Sequence, residues 1–123
     1  MVLVTGASGK TGREVTRALG ERGVPFVRAS LSPEADDERR FDFADPSSWT
    51  SALDGITGVF LLRPPPITDI DATIAPFIDE ARRSGVKHFV CWSVAGAESN
   101  PLLPHAKMER RLKDGPADWT ILR

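Results

Sequence analysis

This sequence predicts an α/β fold, a parallel sheet covered by helices on both faces, and three observations carry that expectation. Short apolar runs alternate with stretches of helical periodicity along the whole chain. The runs starting at Gly58 and Lys87 are nearly continuous in apolar residues, as strands buried on both faces require. The first run meets three glycines, Gly6, Gly9 and Gly12, and passes directly into an amphipathic pattern. Parallel neighbours need crossover connections, and right-handed crossovers place the helices on the faces of the sheet.

Six strands are expected, at 1–5, 25–30, 40–43, 58–62, 87–93 and 119–123. Between the first two, Val15, Ala18, Leu19 and Arg22 recur at helical spacing, and Gly23 supplies the stop. Asp45 before Pro46 reads as an N-cap with proline in the first turn. Trp49, Ala52 and Leu53 would form the inner face of this second helix, closed by Gly55. Ile70, Ile74, Phe77, Ile78 and Ala81 mark a third helix ending near Gly85, with Pro76 kinking it or delaying its start. A fourth runs from about His105 to Lys113 and turns Met108 and Leu112 inward. The polar tract at 30–38 reads as a mobile surface connection, with Asp36, Asp37 and Glu38 as a solvated face.

Composition narrows the function classes. A chain of 123 residues suits one domain around a single core, and 41% hydrophobic with 27% charged residues is ordinary for a globular protein. Sixteen basic against 17 acidic side chains, with no basic run, offer nothing to a nucleic-acid backbone. No segment approaches a membrane span, and the opening apolar stretch is too short for a signal peptide and lacks a basic leader, so the expectation is a cytoplasmic protein. Cys91, the single cysteine, forms neither an internal disulfide nor a multi-thiolate metal site and reads as an inert core thiol. No metal is expected.

The glycines carry the chemistry. In a doubly wound sheet the first strand-to-helix turn lies at the switch point, where a helix N-terminus offers free N–H groups to a pyrophosphate. Gly6 would allow the tight turn, Gly9 the approach of the pyrophosphate to the backbone, and Gly12 close packing of helix on sheet. A Walker loop is excluded, because it needs four residues between its first glycine and the glycine of its Gly-Lys pair, whereas Gly6 and Gly9 are separated by only two residues. A glycine-rich turn with no ligand is the alternative.

The segments VLVTGASGKTG, FDFADPSSW, GVFLLRPP, SGVKHFVCWSVAGAES and AKMERRLKDGPADWTILR together resemble the NmrA-like branch of the atypical short-chain dehydrogenase/reductase superfamily. That branch includes quinone oxidoreductases, isoflavone-type reductases and redox-sensing regulators. The resemblance implies a Rossmann domain of about six strands, ordered 3-2-1-4-5-6, binding NADP(H) or NAD(H) through Gly6, Ser8, Gly9, Lys10, Thr11 and Gly12. It further implies the adenine near Asp42 and Phe43 and the nicotinamide ribose near Leu62 and Arg63. Ser93 would face the nicotinamide, and Lys107 would correspond to the family lysine near ribose and substrate.

The sequence departs from that pattern in three places. The 2′ position of the cofactor is read at the end of the second strand, an acid favouring NAD and an arginine NADP. Here that place holds Ser30 and Ser32, Arg28 is expected to point the other way, and no carboxylate competes before Glu34. With Lys10 in the glycine loop, NADP(H) is preferred over NAD(H). The Tyr-x-x-x-Lys proton relay of ordinary short-chain dehydrogenases is absent, since the chain has no tyrosine and Leu103 lies four residues before Lys107. His105 is the nearest replacement, a helix cap being its alternative role. Relatives continue beyond the segment matching TILR into strands and helices that form a substrate pocket, so the substrate half is expected to be missing, and the open last strand suggests a homodimer. Two functional classes therefore stand: a reductase of a small quinone- or enone-like acceptor, and a non-catalytic dinucleotide-sensing module or remnant of a longer reductase.

Overall fold

The computed structural model describes residues 1–123. Its strands are β1 (Val2–Val4), β2 (Phe26–Ser30), β3 (Glu38–Arg40), β4 (Gly58–Leu62), β5 (His88–Trp92) and β6 (Asp118–Leu122). All pair in parallel in the order β3-β2-β1-β4-β5-β6, the expected topology. The helices are α1 (Lys10–Glu21), α2 (Trp49–Ala52), α3 (Ile74–Arg83) and α4 (Pro104–Lys113).

The two faces of the sheet are covered unequally. Leu3, Val59, Leu61, Phe89 and Cys91 project from the sheet toward α2, α3 and α4 and join a core cluster of 21 buried residues. Phe77 of α3 lies at its centre, with the rings of Phe41, Phe43 and Trp49 edge-on at 4.9, 5.4 and 5.7 Å. Such aromatic contacts stabilise beyond their area, and the burial itself is the larger contribution. The opposite face carries α1 alone over a small cluster of Val4, Ala7 and Phe60. Strand alternation places Trp92 and Leu122 on this second face, where they are 42% and 41% exposed.

Local chemistry sets the boundaries, and several differ from those the sequence suggests. The third strand lies at 38–40 rather than 40–43, because Phe41 and Phe43 leave the ladder and drive their rings under Phe77. Burying two aromatic side chains outweighs two more rungs of an edge strand. The third helix begins only at Ile74, which places Pro76 in its first turn, where no backbone N–H is needed. Ile70, although outside the helix, is 1% exposed. The second helical region opens as a 3-10 turn at Pro46–Ser48, with Asp45 Oδ1 accepting from the Ser47 N–H at 3.1 Å, and α2 adds a single turn.

Asp37 and Glu38 are not a solvated face. Asp37 accepts two hydrogen bonds from Arg28, and Glu38 opens β3 with its side chain only 17% exposed. The backbone closes over the same place, with Arg28 N–H donating to the Asp37 carbonyl at 2.7 Å. No helix of the chain is long and apolar enough to cross a membrane.

The ring cluster makes a direct prediction. Phe77→Ala removes the ring that three others surround and should cost about 3–5 kcal/mol, read as a lower urea midpoint at unchanged slope.

Candidate dinucleotide site

The carboxyl ends of the strands meet the start of α1, and here the three glycines separate by function. Gly6 has φ +64°, and a Cβ there would lie 2.4 Å from Leu62 Cδ2. A Cβ on Gly12 would lie 2.0 Å from the Gly6 carbonyl oxygen and 2.6 Å from Ala7 Cα. The polypeptide itself therefore forbids side chains at both. At Gly9 a Cβ would meet only the Gly6 carbonyl oxygen, at an ordinary 3.5 Å, and φ −80° is open to any residue. The protein's own packing gives no reason for glycine at position 9, and the backbone there is left open to close approach.

That space adjoins an unsatisfied helix start. Gly9 caps α1 without a side-chain hydrogen bond, and the first turn carries no acidic residue. Its N–H groups and the positive end of the helix dipole favour an anion. Thr5 locks the neighbouring strand ends, its buried hydroxyl donating to the Phe60 carbonyl at 2.9 Å and accepting from the Leu62 N–H at 2.8 Å. These features fit a pyrophosphate.

A cleft of about 570 Å³ continues from the glycine turn. Gly6, Ser8, Ser30, Asp42 and Phe43 line it, together with Phe41, Pro64, Pro66, Ile67, Glu38 and Arg28, the last contrary to the expectation that it points the other way. Gly9, Lys10, Thr11, Gly12, Leu62 and Arg63 are not part of its lining. Asp42 is tied into its own loop, its Oδ1 accepting from Ala44 N–H at 2.8 Å and its carbonyl from Trp49 Nε1 at 3.0 Å. Phe43 is 4% exposed, so its ring serves the core first and the cleft wall second. Arg63 shapes the opposite wall by donating from Nη1 to the carbonyls of Pro65 and Ile67 at 3.2 and 2.7 Å, which curls the proline loop around its guanidinium.

Farther along the carboxyl edge, Ser93 Oγ donates to Glu109 Oε2 at 2.5 Å, and Arg123 Nη2 donates to Glu109 Oε1 at 2.6 Å. Glu109, 3% exposed, was not foreseen; its place one helical turn after His105 was the available signal. Burial alone would raise its carboxyl, but the bonds from Arg123 and Ser93 outweigh that and hold it below the ordinary carboxylate value. His105 is lowered by burial and by the Arg63 charge, which keeps its imidazole neutral at physiological pH. Lys107 follows His105 by two positions, so the helix turns it about 200° away from the imidazole. Ser93 and Arg123 thus meet at Glu109, and the charges of Arg63 and Glu109 both act on His105. Burial, with Glu109 adding to it, pushes the Cys91 thiol up to about 12, which makes it inert.

A doubly wound sheet with a glycine cradle at its switch point defines the class of Rossmann-type nucleotide-binding proteins. Residues 6–123 match the family model described as NAD(P)H-binding, and the chain belongs to that family. It is similar to the NAD(P)H azoreductase of Xenophilus azovorans, with 34% identity covering 100% of this chain and 47% of the relative. Its fold is similar to that of Citrobacter sp. triphenylmethane reductase complexed with NADP(H), with TM-score 0.84 and 27% identity over 99% of this chain and 48% of the other. The NADPH-dependent quinone oxidoreductase of Escherichia coli, complexed with NADPH, has the same TM-score and identity and covers 100% of this chain and 48% of its own. The chain spans less than half the length of the curated relatives it matches.

The Glu109 network makes stability depend on pH. Its lowered carboxyl contributes stability that is present above the unfolded-state carboxylate value and lost as pH falls through the folded-state value. Glu109→Gln should cost about 2 kcal/mol at pH 7, below the range for a fully buried pair because Arg123 is 35% exposed. It should also flatten the acid limb below the ordinary glutamate value of about 4.3. Urea midpoints across that range test this, and an unchanged acid slope would contradict it.

Proposed function

We propose that this chain is the cofactor-binding part of an NAD(P)H-dependent reductase of the NmrA-like branch, acting on a small quinone- or enone-like acceptor. The observation that carries the reading is Gly9, where the backbone is left bare beside an uncapped helix start although nothing in the protein requires it. Similarity to reductases of azo compounds, triphenylmethane dyes and quinones supports it. When bound, the nicotinamide supplies a hydride.

The remaining chemistry belongs to the chain. The α1 N-terminus holds the pyrophosphate, Asp42 and Phe43 lie toward the adenine, and Leu62 and Arg63 lie toward the nicotinamide ribose. Ser93 spends its hydroxyl proton on Glu109, so toward a ligand it offers an acceptor. His105, neutral and near the Arg63 charge, is the group placed to donate a ring N–H hydrogen bond to the reduced acceptor, while water supplies the proton. Lys107 would act from the neighbouring face of α4, through the ribose.

NADP(H) is the favoured partner in this reading. The triphenylmethane reductase and quinone oxidoreductase neighbours carry it, and Arg28 is the one cation lining the cleft. A homodimer covering the half-exposed Trp92 and Leu122 would complete the thinly clad face of the sheet. A cytoplasmic location would supply the reduced nucleotide. A second reading, a dinucleotide-sensing module or remnant without turnover, is favoured by the absent tyrosine and by Lys107 standing away from His105.

Calorimetric titration with NADPH and NADH tests the first step. Micromolar binding is expected, and Gly9→Ala should weaken it at least tenfold, about 1.4 kcal/mol or more, while leaving folding stability within about 0.5 kcal/mol. An unchanged affinity in Gly9→Ala would overturn the cradle. Nucleotide oxidation with a panel of quinones and enones then separates the readings: turnover reduced in His105→Ala supports the reductase, and tight binding with a flat panel supports the sensor.

A further inference from the structure

Arg28 holds the most constrained charge in the cleft. Its Nε and Nη2 donate to the two carboxylate oxygens of Asp37 at 2.9 and 2.7 Å, a bidentate pair, and Nη2 lies 3.6 Å from Glu38 Oε1. The parallel register sets Glu38 directly beside Arg28 across β2 and β3, so both side chains project from the same face. Arg28 and Glu38 both line the cleft. The third partner, Asp37, is fixed by its own backbone, whose carbonyl accepts from Arg28 N–H. One cation thus faces two carboxylates, and no other cation lines the cleft.

This arrangement acts differently on the two nicotinamide nucleotides. A ribose 2′-hydroxyl is neutral and donates readily to a carboxylate, so it suits Glu38 as the rim stands. A 2′-phosphate carries roughly −1.5 to −2 charges near neutral pH and needs the guanidinium. To obtain it, the phosphate must displace Asp37 from a bidentate pair and lie beside Glu38. Asp42, the remaining acid of the lining, has Oδ1 bonded within its own loop.

Resting on the dinucleotide reading above, we propose that Asp37 and Glu38 determine cofactor specificity in this chain, competing with the 2′-phosphate for Arg28 and so capping the preference for NADPH over NADH. The wild-type chain accepts both nucleotides. Its selectivity resides in the two carboxylates around the arginine and not in the arginine alone.

Calorimetric dissociation constants for NADPH and NADH, at fixed ionic strength, test this in the full chain and in Asp37→Asn, Glu38→Gln and Arg28→Ala. The wild type should favour NADPH by no more than about tenfold, the size of one charge-assisted hydrogen bond. Asp37→Asn and Glu38→Gln should each raise the NADPH-to-NADH affinity ratio about three- to tenfold by tightening NADPH, with NADH affinity unchanged in Asp37→Asn and slightly weakened in Glu38→Gln, which loses the acceptor for the 2′-hydroxyl. Adding Arg28→Ala to either should erase that gain. Glu38→Gln keeps the bidentate pair, so it decides the matter even if Asp37→Asn disturbs the loop. Both nucleotides binding with a ratio unmoved by Glu38→Gln and Asp37→Asn would overturn the proposal and leave the dinucleotide reading intact. Binding of neither nucleotide by the wild type would overturn that reading and the proposal with it.

Discussion

The carboxyl edge of the sheet depends on how closely α1 approaches the end of β1. The helix backbone at Gly12 comes so near the Gly6 carbonyl that a methyl group would overlap it, and Gly6 itself turns through a left-handed conformation against Leu62. This contact fixes the start of α1 at the carboxyl end of β1. Thr5 adds the second half of the constraint, its hydroxyl joining the ends of β1 and β4 so that the floor beneath the helix start is rigid. Packing and anion recognition are here one arrangement, because the same close approach that excludes side chains creates the polar opening at Gly9.

Arginines organise the rest of that edge, each in a different way. Arg63 is wrapped by backbone carbonyls and holds the proline loop in shape. Arg123 reaches from the end of β6 to the buried Glu109 and joins the last strand to α4. Arg28 is held by carboxylates at the rim of the cleft. A guanidinium suits all three tasks because its donors form a planar fork that satisfies several oxygens at once. The imidazole of His105 is a consequence of this distribution, its neutrality set by burial and by the nearby Arg63 charge.

Coverage of the sheet is lopsided for a topological reason. Connections from β3 onward supply α2, α3 and α4 to one face, while the step from β2 to β3 is made by a loop, so the other face receives only α1. The 21-residue core lies on the first side, and the half-exposed Trp92 and Leu122 lie on the second. The deep core and the binding edge are thus supported from one layer.

The alternation of apolar runs and helical stretches, the glycine turn, and the inner faces around Phe77, Met108 and Leu112 were legible in the sequence, because each is a local periodicity or a local steric demand. From these the place of the glycine cradle follows, whereas the strand order was implied by the resemblance to the NmrA-like branch. What only the tertiary structure decided involves partners distant along the chain or lying outside any period. Phe41 and Phe43 read as strand residues until α3 offered them a better place to bury their rings. Asp37 and Glu38 read as loop acids until the register of β3 brought them to Arg28. Glu109 gave no sign of meeting Ser93, 16 residues earlier, or Arg123, 14 residues later. Burial of charge is the physical reason for the difference: hydrophobic periodicity is written residue by residue, whereas a buried carboxylate or a paired arginine is explained only by the opposite charge that folding brings to it.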